Sequence, residues 1–167
     1  MKNTHQSVQG VVFSKNRKKV LLVKRRDVPV YVLPGGGVDE NETFENAIIR
    51  EIFEESGFKV EIKKKVGEYI PVNKLARYTH VYECDVLSGE ATISDESKEV
   101  IFFNIDTIPK MPPPYKEWIL DALENKNELI TKKLTSITYF ALIKNLFLHP
   151  IIVIRFLLTK IGLTINT

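Results

Sequence analysis

Residues 36–58 read GGVDENETFENAIIREIFEESGF. Thr43 to Ser56 carries helical spacing, and Gly57 stands where a helix C-terminus favours glycine. Glu51, Glu54 and Glu55 fall three and four residues apart, so a helix places all three carboxylates on one face. Phe44, Ile48, Ile49, Ile52 and Phe53 then fill the remaining arc, with Ala47 small enough to sit beside the acids. Crowded acids repel one another by about a few tenths of a kcal/mol per pair even when exposed. A hard divalent cation removes that conflict, because Mg²⁺ accepts carboxylate, carbonyl and water oxygens. Arg50 lies four residues before Glu54 and can pair with it. Ahead of the helix, Pro34 leads into Gly35-Gly36-Gly37, a loop whose glycines permit positive φ and close approach of main-chain atoms to a metal or phosphate. A solvated acidic face and a flexible turn are the plainer readings of these residues taken singly.

Taken together, the offsets say more. Gly36 is followed after five residues by Glu42, and after seven more by Arg50-Glu51-Ile52-Phe53-Glu54-Glu55-Ser56-Gly57-Phe58. The pattern resembles the signature of the Nudix hydrolase family at every defining polar and glycine position. Phe58 is an aromatic where an aliphatic is commoner. The resemblance extends more loosely over residues 7 to 125 and does not cover the end of the chain.

The resemblance implies an α/β fold, an α/β/α sandwich with a mixed sheet. It implies Mg²⁺-dependent hydrolysis, with Mn²⁺ as an alternative ion, of a diphosphate linkage in a nucleoside diphosphate joined to another moiety. Glu51, Glu54, Glu55 and the carbonyl of Gly35 match the metal ligands. Gly36 and Gly37 lie beside the substrate, and Arg50 and Glu42 hold the motif together. The general base is either the helix glutamate matching Glu51 or an acid from a later loop, where Glu96 and Glu99 stand. Arg25 matches an arginine that often contacts substrate phosphate, against a solvated strand end. Tyr31 matches an aromatic that lines a base pocket, or simply packs. Arg77, Tyr78 and His80 are weaker substrate candidates. Two other functions compete: a non-catalytic nucleotide-binding module and a membrane-tethered adaptor. Loss of the box acids would favour the first of these, and none is lost.

Outward from the motif the chain alternates strands and helices. Extended runs are expected at Val8 to Phe13, Val20 to Lys24, Val30 to Leu33, Phe58 to Ile70, Thr79 to Val86 and Val100 to Ile105, with a helix at Tyr115 to Leu123. Alternation puts His80, Tyr82, Cys84 and Val86 on one side, so Cys84 reads as a small buried side chain. It is the single cysteine, which excludes an intrachain disulfide and a thiolate zinc cluster. Met1 to Gln9 is polar and has no apolar core of signal-peptide length.

At 167 residues, 44% hydrophobic and 27% charged, the chain suits one folded domain and not a disordered one. Its net charge of +3 is unevenly spread. From Thr131 onward there are Lys132, Lys133, Lys144, Arg155 and Lys160 with no Asp or Glu, leaving 19 basic and 21 acidic residues before it. The body therefore offers no general electrostatic case for nucleic-acid binding. Asn125 to Asn127 reads as a polar boundary, dividing a domain at 1–128 from an apolar, basic, helical tail at 129–167. Ile137 to Leu158 is long enough to span a bilayer, yet contains two charges and Pro150, which breaks it into two helices. The tail can pack on the body or form a homodimer, lie in a membrane interface, or span. The expected partner is a small nucleotide, in a cytoplasmic protein, with membrane contact through the tail as one of those alternatives.

Overall fold

The computed structural model describes residues 3–124 and 128–163. The boundary expected at Asn125 to Asn127 lies outside the described residues.

Strands β1 (Asn3–Val12) and β2 (Lys19–Arg25) are joined by a turn in which Arg17 adopts a left-handed conformation and the Ser14 amide donates to the Lys19 carbonyl at 2.9 Å. β3 (Tyr31–Val32) and β4 (Gly35–Val38) precede helix α1 (Phe44–Ser56). Then come β5 (Phe58–Pro71), β6 (Tyr78–Gly89), β7 (Ser97–Asn104), helix α2 (Tyr115–Glu124) and β8 (Ile130–Leu134). Helices α3 (Tyr139–Leu148) and α4 (Pro150–Lys160) complete the order.

The strands form a five-stranded sheet in the order β4-β1-β6-β5-β8 and a three-stranded sheet in the order β3-β2-β7. The larger sheet is mixed: β1 runs parallel to β6 and β5 to β8, with the other pairs antiparallel. α1 covers one face and α2 the other. Alternation along the strands divides the core accordingly. Val8, Val12, Leu21, Val23, Tyr82 and Cys84 pack with Ala47, Ile48 and Ile52 of α1. Val11, Phe13, Val20, Leu22, Tyr69 and Val81 pack with Trp118, Ile119 and Ala122 of α2. β2 is buried on both sides, which is why it reads as a continuous aliphatic run. The sandwich with a mixed sheet is the expected architecture. Burial pushes the Cys84 thiol up to about 12, and it is packed as expected.

α1 is bounded by local chemistry. The Thr43 hydroxyl accepts from the Asn46 amide at 3.2 Å, and Gly57, at φ 78°, sends its amide to the Phe53 carbonyl at 2.9 Å. Its rotation departs from the expected one. Ile49 and Phe53 are exposed, and Glu51 and Glu55 are buried in the sector beside Ala47, Ile48 and Ile52. The helix turns two of its acids inward, toward the glycine segment. That segment is also not a loop: Gly35, Gly36 and Gly37 pair with Gln9, Val8 and Ser7 of β1 as an edge strand.

The division at residue 128 is corrected. Ile130 to Leu134 pair in parallel with Gly67 to Pro71, adding a strand to the body's sheet where a helical tail was expected. Leu134 is buried in the core beneath α2. Asp121 of α2 accepts from Tyr69 Oη at 2.7 Å and from Lys132 Nζ at 2.6 Å, tying β8 to both neighbours. Asn73 Nδ2 donates to the Ile137 carbonyl at 2.6 Å, so the ordered body runs to the start of α3. Beyond it, the hydrophobic run is interrupted where expected, with His149 between the helices and Pro150 opening α4.

A chain ending at residue 128 should unfold at lower urea than one ending at residue 138, with a stability deficit of at least about 2 kcal/mol for losing the buried Leu134 alone. Coincident urea curves would show that β8 contributes nothing.

Candidate active site

Glu55 lies within the fold, its Oε2 accepting from the Gly35 amide at 2.9 Å. Gly35 has φ 150°, and a side chain there would start 2.2 Å from the Val8 carbonyl oxygen. At Gly36 a Cβ would fall 2.5 Å from Glu51 Oε2, so the absence of a side chain leaves room for that carboxylate. β4 and α1 are thus fitted to each other through two glycines and two acids.

Arg50 organises the other side. Its Nε and Nη2 donate to the two oxygens of Glu42 at 2.9 and 2.8 Å, a bidentate pair. Nη1 reaches Glu51 at 2.9 Å and Glu54 at 3.2 Å, and Nη2 also donates to the Gly37 carbonyl at 3.2 Å. Glu42 accepts in turn from the Asp39 amide at 3.1 Å. These bonds, that to Glu42 above all, hold the guanidinium charged more firmly than usual. Arg50 therefore links the glycine strand, the turn before α1 and two helix acids. Glu51 is nearly inaccessible, whereas the side chain of Glu54 is 57% exposed. The three acids lie on adjoining sectors but differ sharply in solvation.

Burial raises the Glu55 carboxyl to about 8; the Gly35 amide and Arg25 oppose the rise, and Glu51 and Glu96 add to it. Arg25 is held by Asp27, its Nε donating to Oδ1 at 2.8 Å and Nη2 to Oδ2. Neighbouring Arg26 anchors the loop ahead of β7, donating from its amide to the Glu96 carbonyl at 3.0 Å and from Nε to the Ser94 carbonyl at 3.0 Å. Glu96 is exposed and close enough for its charge to act on Glu55.

Four candidates lie elsewhere. Glu99 accepts from Lys24 Nζ at 2.6 Å and from the Tyr31 hydroxyl. Lys24 and then Tyr31 hold Glu99 below the usual carboxylate range, and Glu99 pushes the Tyr31 phenol up to about 12. Tyr31 packs on Phe103 in the core beneath α2, on the opposite face of the small sheet from Glu55. Lys24 and Arg25, being consecutive on a strand, point to opposite sides. His80 is a packed histidine, stacked on Phe44 at 3.8 Å and 3.2 Å from Gln6 Oε1, and burial lowers its pKa. Tyr78 donates to Glu68. Asp27 and Asp39 are not singled out by sequence reading; their signals are the charged run at 25–27 and an acid in the turn ahead of Glu42.

The donors available to a cation are hard oxygens, from Glu51, Glu54, Glu55 and the Gly35 carbonyl, the set a divalent cation of the Mg²⁺ or Mn²⁺ type takes. Glu55 lies buried with Glu51 close enough for its charge to act on it, and a bound cation would relieve that repulsion. Among the described residues no three such side chains already form a ligand group; Glu51 and Glu54 would turn from Arg50 to do so. The residues fit the ion.

The family model described as the NUDIX domain matches residues 4–123. The chain belongs to the Nudix family. It is similar to the ADP-ribose pyrophosphatase of Methanocaldococcus jannaschii, 35% identical over 127 residues, covering 72% of this chain and 74% of that protein. It is also similar to the oxidized purine nucleoside triphosphate hydrolase of Danio rerio, 39% identical over 79 residues, covering 45% of this chain and 49% of that one. An ADP-ribose pyrophosphatase structure from Streptococcus suis superposes with a TM-score of 0.63 at 24% identity, over 77% of this chain and 97% of that chain, and supports the fold. This Nudix protein is a pyrophosphohydrolase.

The acid raised in the fold has a consequence for stability. An ordinary glutamate titrates near 4.5, and Glu55 in the folded chain near 8. Its contribution is full below about pH 4.5 and is lost as pH rises through about 8. With divalent cations chelated, Glu55→Gln should therefore gain stability relative to the parent chain between about pH 5 and about pH 9, read by urea unfolding. Parallel pH profiles would contradict the buried placement of Glu55.

Proposed function

We propose that this Nudix pyrophosphohydrolase cleaves a diphosphate linkage in a nucleoside diphosphate joined to another moiety, with ADP-ribose as the first substrate to test and Mg²⁺ as the ion. The observation that carries the reading is the arrangement around α1: two buried glutamates fitted under side-chain-free Gly35 and Gly36, with Arg50 bridging Glu51 to Glu54 and Glu42. The relative from M. jannaschii, matched over most of both chains, favours ADP-ribose.

Glu51, Glu54, Glu55 and the Gly35 carbonyl would hold the ion, which when bound neutralises phosphate charge and makes water a better nucleophile. Arg25, fixed by Asp27 beside Glu55, presents a lasting positive charge to an incoming phosphate. Gly36 and Gly37 leave the main chain open to close approach. Arg50 positions Glu51 and Glu54 and, through Glu42, keeps the turn before α1 from drifting. For the proton of water, Glu96 is the loop acid whose charge reaches Glu55, and Glu51 the helix acid already at the site. Glu99, engaged by Lys24 and Tyr31, is not offered for that role.

A panel of ADP-ribose, nucleotide sugars, dinucleoside polyphosphates and nucleoside triphosphates, with Mg²⁺ or Mn²⁺ and chromatographic detection of products, should show AMP released from ADP-ribose only when the ion is present. Turnover surviving exhaustive chelation would overturn the metal assignment. Preference for a triphosphate would overturn the substrate. Glu54→Gln and Glu55→Gln should each lose at least about a hundredfold in kcat/KM, because a removed ligand weakens stabilisation of the whole transition state. Unchanged kinetics in both would remove these residues from the site, and binding without turnover of any substrate would make the chain a nucleotide-binding module.

A further inference from the structure

Helices α3 and α4 are used by neither the sandwich nor the site. α3 is apolar around most of its circumference, yet none of its residues is buried. A helix of that kind is normally enclosed. The two helices pack on each other, and among the described residues neither makes an extended contact with an element of the body. Phe140, Ile143, Phe147, Ile151, Ile154 and Leu157 are exposed, Phe140 and Phe147 at 78% and 83%. Large apolar side chains left exposed together on one helical hairpin mark an interaction site.

Charge and length identify the partner. Residues from Thr131 onward hold five basic side chains and no acidic one. Lys144 on α3 and Lys133 on β8 are exposed, whereas Lys132 is paired with Asp121. A second copy docking here would bring like charges together, whereas an anionic surface complements them. With 10 and 11 residues, the helices are about 15 and 17 Å long, roughly half of a hydrocarbon core of about 30 Å. Among the described residues no helix is long and apolar enough to cross a membrane. Such a pair can still lie at the boundary between headgroups and acyl chains. We propose that α3 and α4 form an apolar, basic hairpin that lies in the interface of an anionic lipid membrane and holds the Nudix body at its surface.

The test is sedimentation of the full chain with vesicles of phosphatidylcholine alone or mixed with phosphatidylglycerol, at low and high salt. Binding to the anionic vesicles should be at least about tenfold tighter and should weaken with salt. Phe140→Ser combined with Phe147→Ser should weaken it at least about tenfold while turnover in solution stays unchanged, showing that the body is folded. Lys144→Glu should weaken binding to anionic vesicles only. The proposal is overturned if the parent chain ignores both vesicles, or if the double Phe variant binds as well as the parent. It is equally overturned if the hairpin instead closes a dimer in sedimentation equilibrium that excludes vesicle binding.

Discussion

Two carboxylates buried inside one fold, Glu51 and Glu55, have to be stabilised where water cannot reach them, and the structure around α1 is organised by that need. Arg50 meets part of it, engaging Glu42, Glu51 and Glu54 together. The Gly35 amide meets another part at Glu55. Burial nevertheless keeps the Glu55 carboxyl raised, with Glu51 and Glu96 adding to the rise. A residue with a side chain at Gly35 or Gly36 would press into the Val8 carbonyl or the Glu51 carboxylate, so backbone fit and electrostatics there are one constraint.

The division of the core has its origin in the same geometry. β1 and β2 alternate their side chains between α1 and α2, so the acid-bearing helix has a rigid sheet behind it, with Ile48 and Ile52 seated on Val8, Val12 and Leu21. Arg25 stands on the α1 side because it comes after Leu21 and Val23 at steps of two, and Lys24 is sent to the opposite side with Tyr31 and Glu99. One residue of register separates a side chain that can meet phosphate near Glu55 from one that holds a distant acid.

Much of this architecture is legible in the residues alone. Spacing places Glu51, Glu54 and Glu55, Gly57 reads as a helix stop, and alternation makes Cys84 a core residue. The rotation of α1 is not legible, because Ile49 and Phe53 offer as plausible an apolar arc as the one actually buried; only the packing of Gly35 and Gly36 against the acids decides between them. Asp27 escapes because its role is to hold Arg25, which no spacing announces. β8 escapes for another reason. Ile-Thr-Lys-Lys-Leu carries two lysines and pairs in parallel with a segment more than sixty residues earlier, so its strand character comes from Gly67 to Pro71 and not from its own composition.

That edge strand also sets the mechanics of the helical hairpin. Only Thr135 to Thr138 separate β8 from α3, a span of at most about 14 Å, and Asn73 grips the Ile137 carbonyl within it. The connection is a bracket with little slack, not a leash. Whatever surface receives the hairpin receives the sandwich at a restricted angle, so the direction in which the Arg25 and Glu55 end of the molecule faces is written into four residues far from the chemistry.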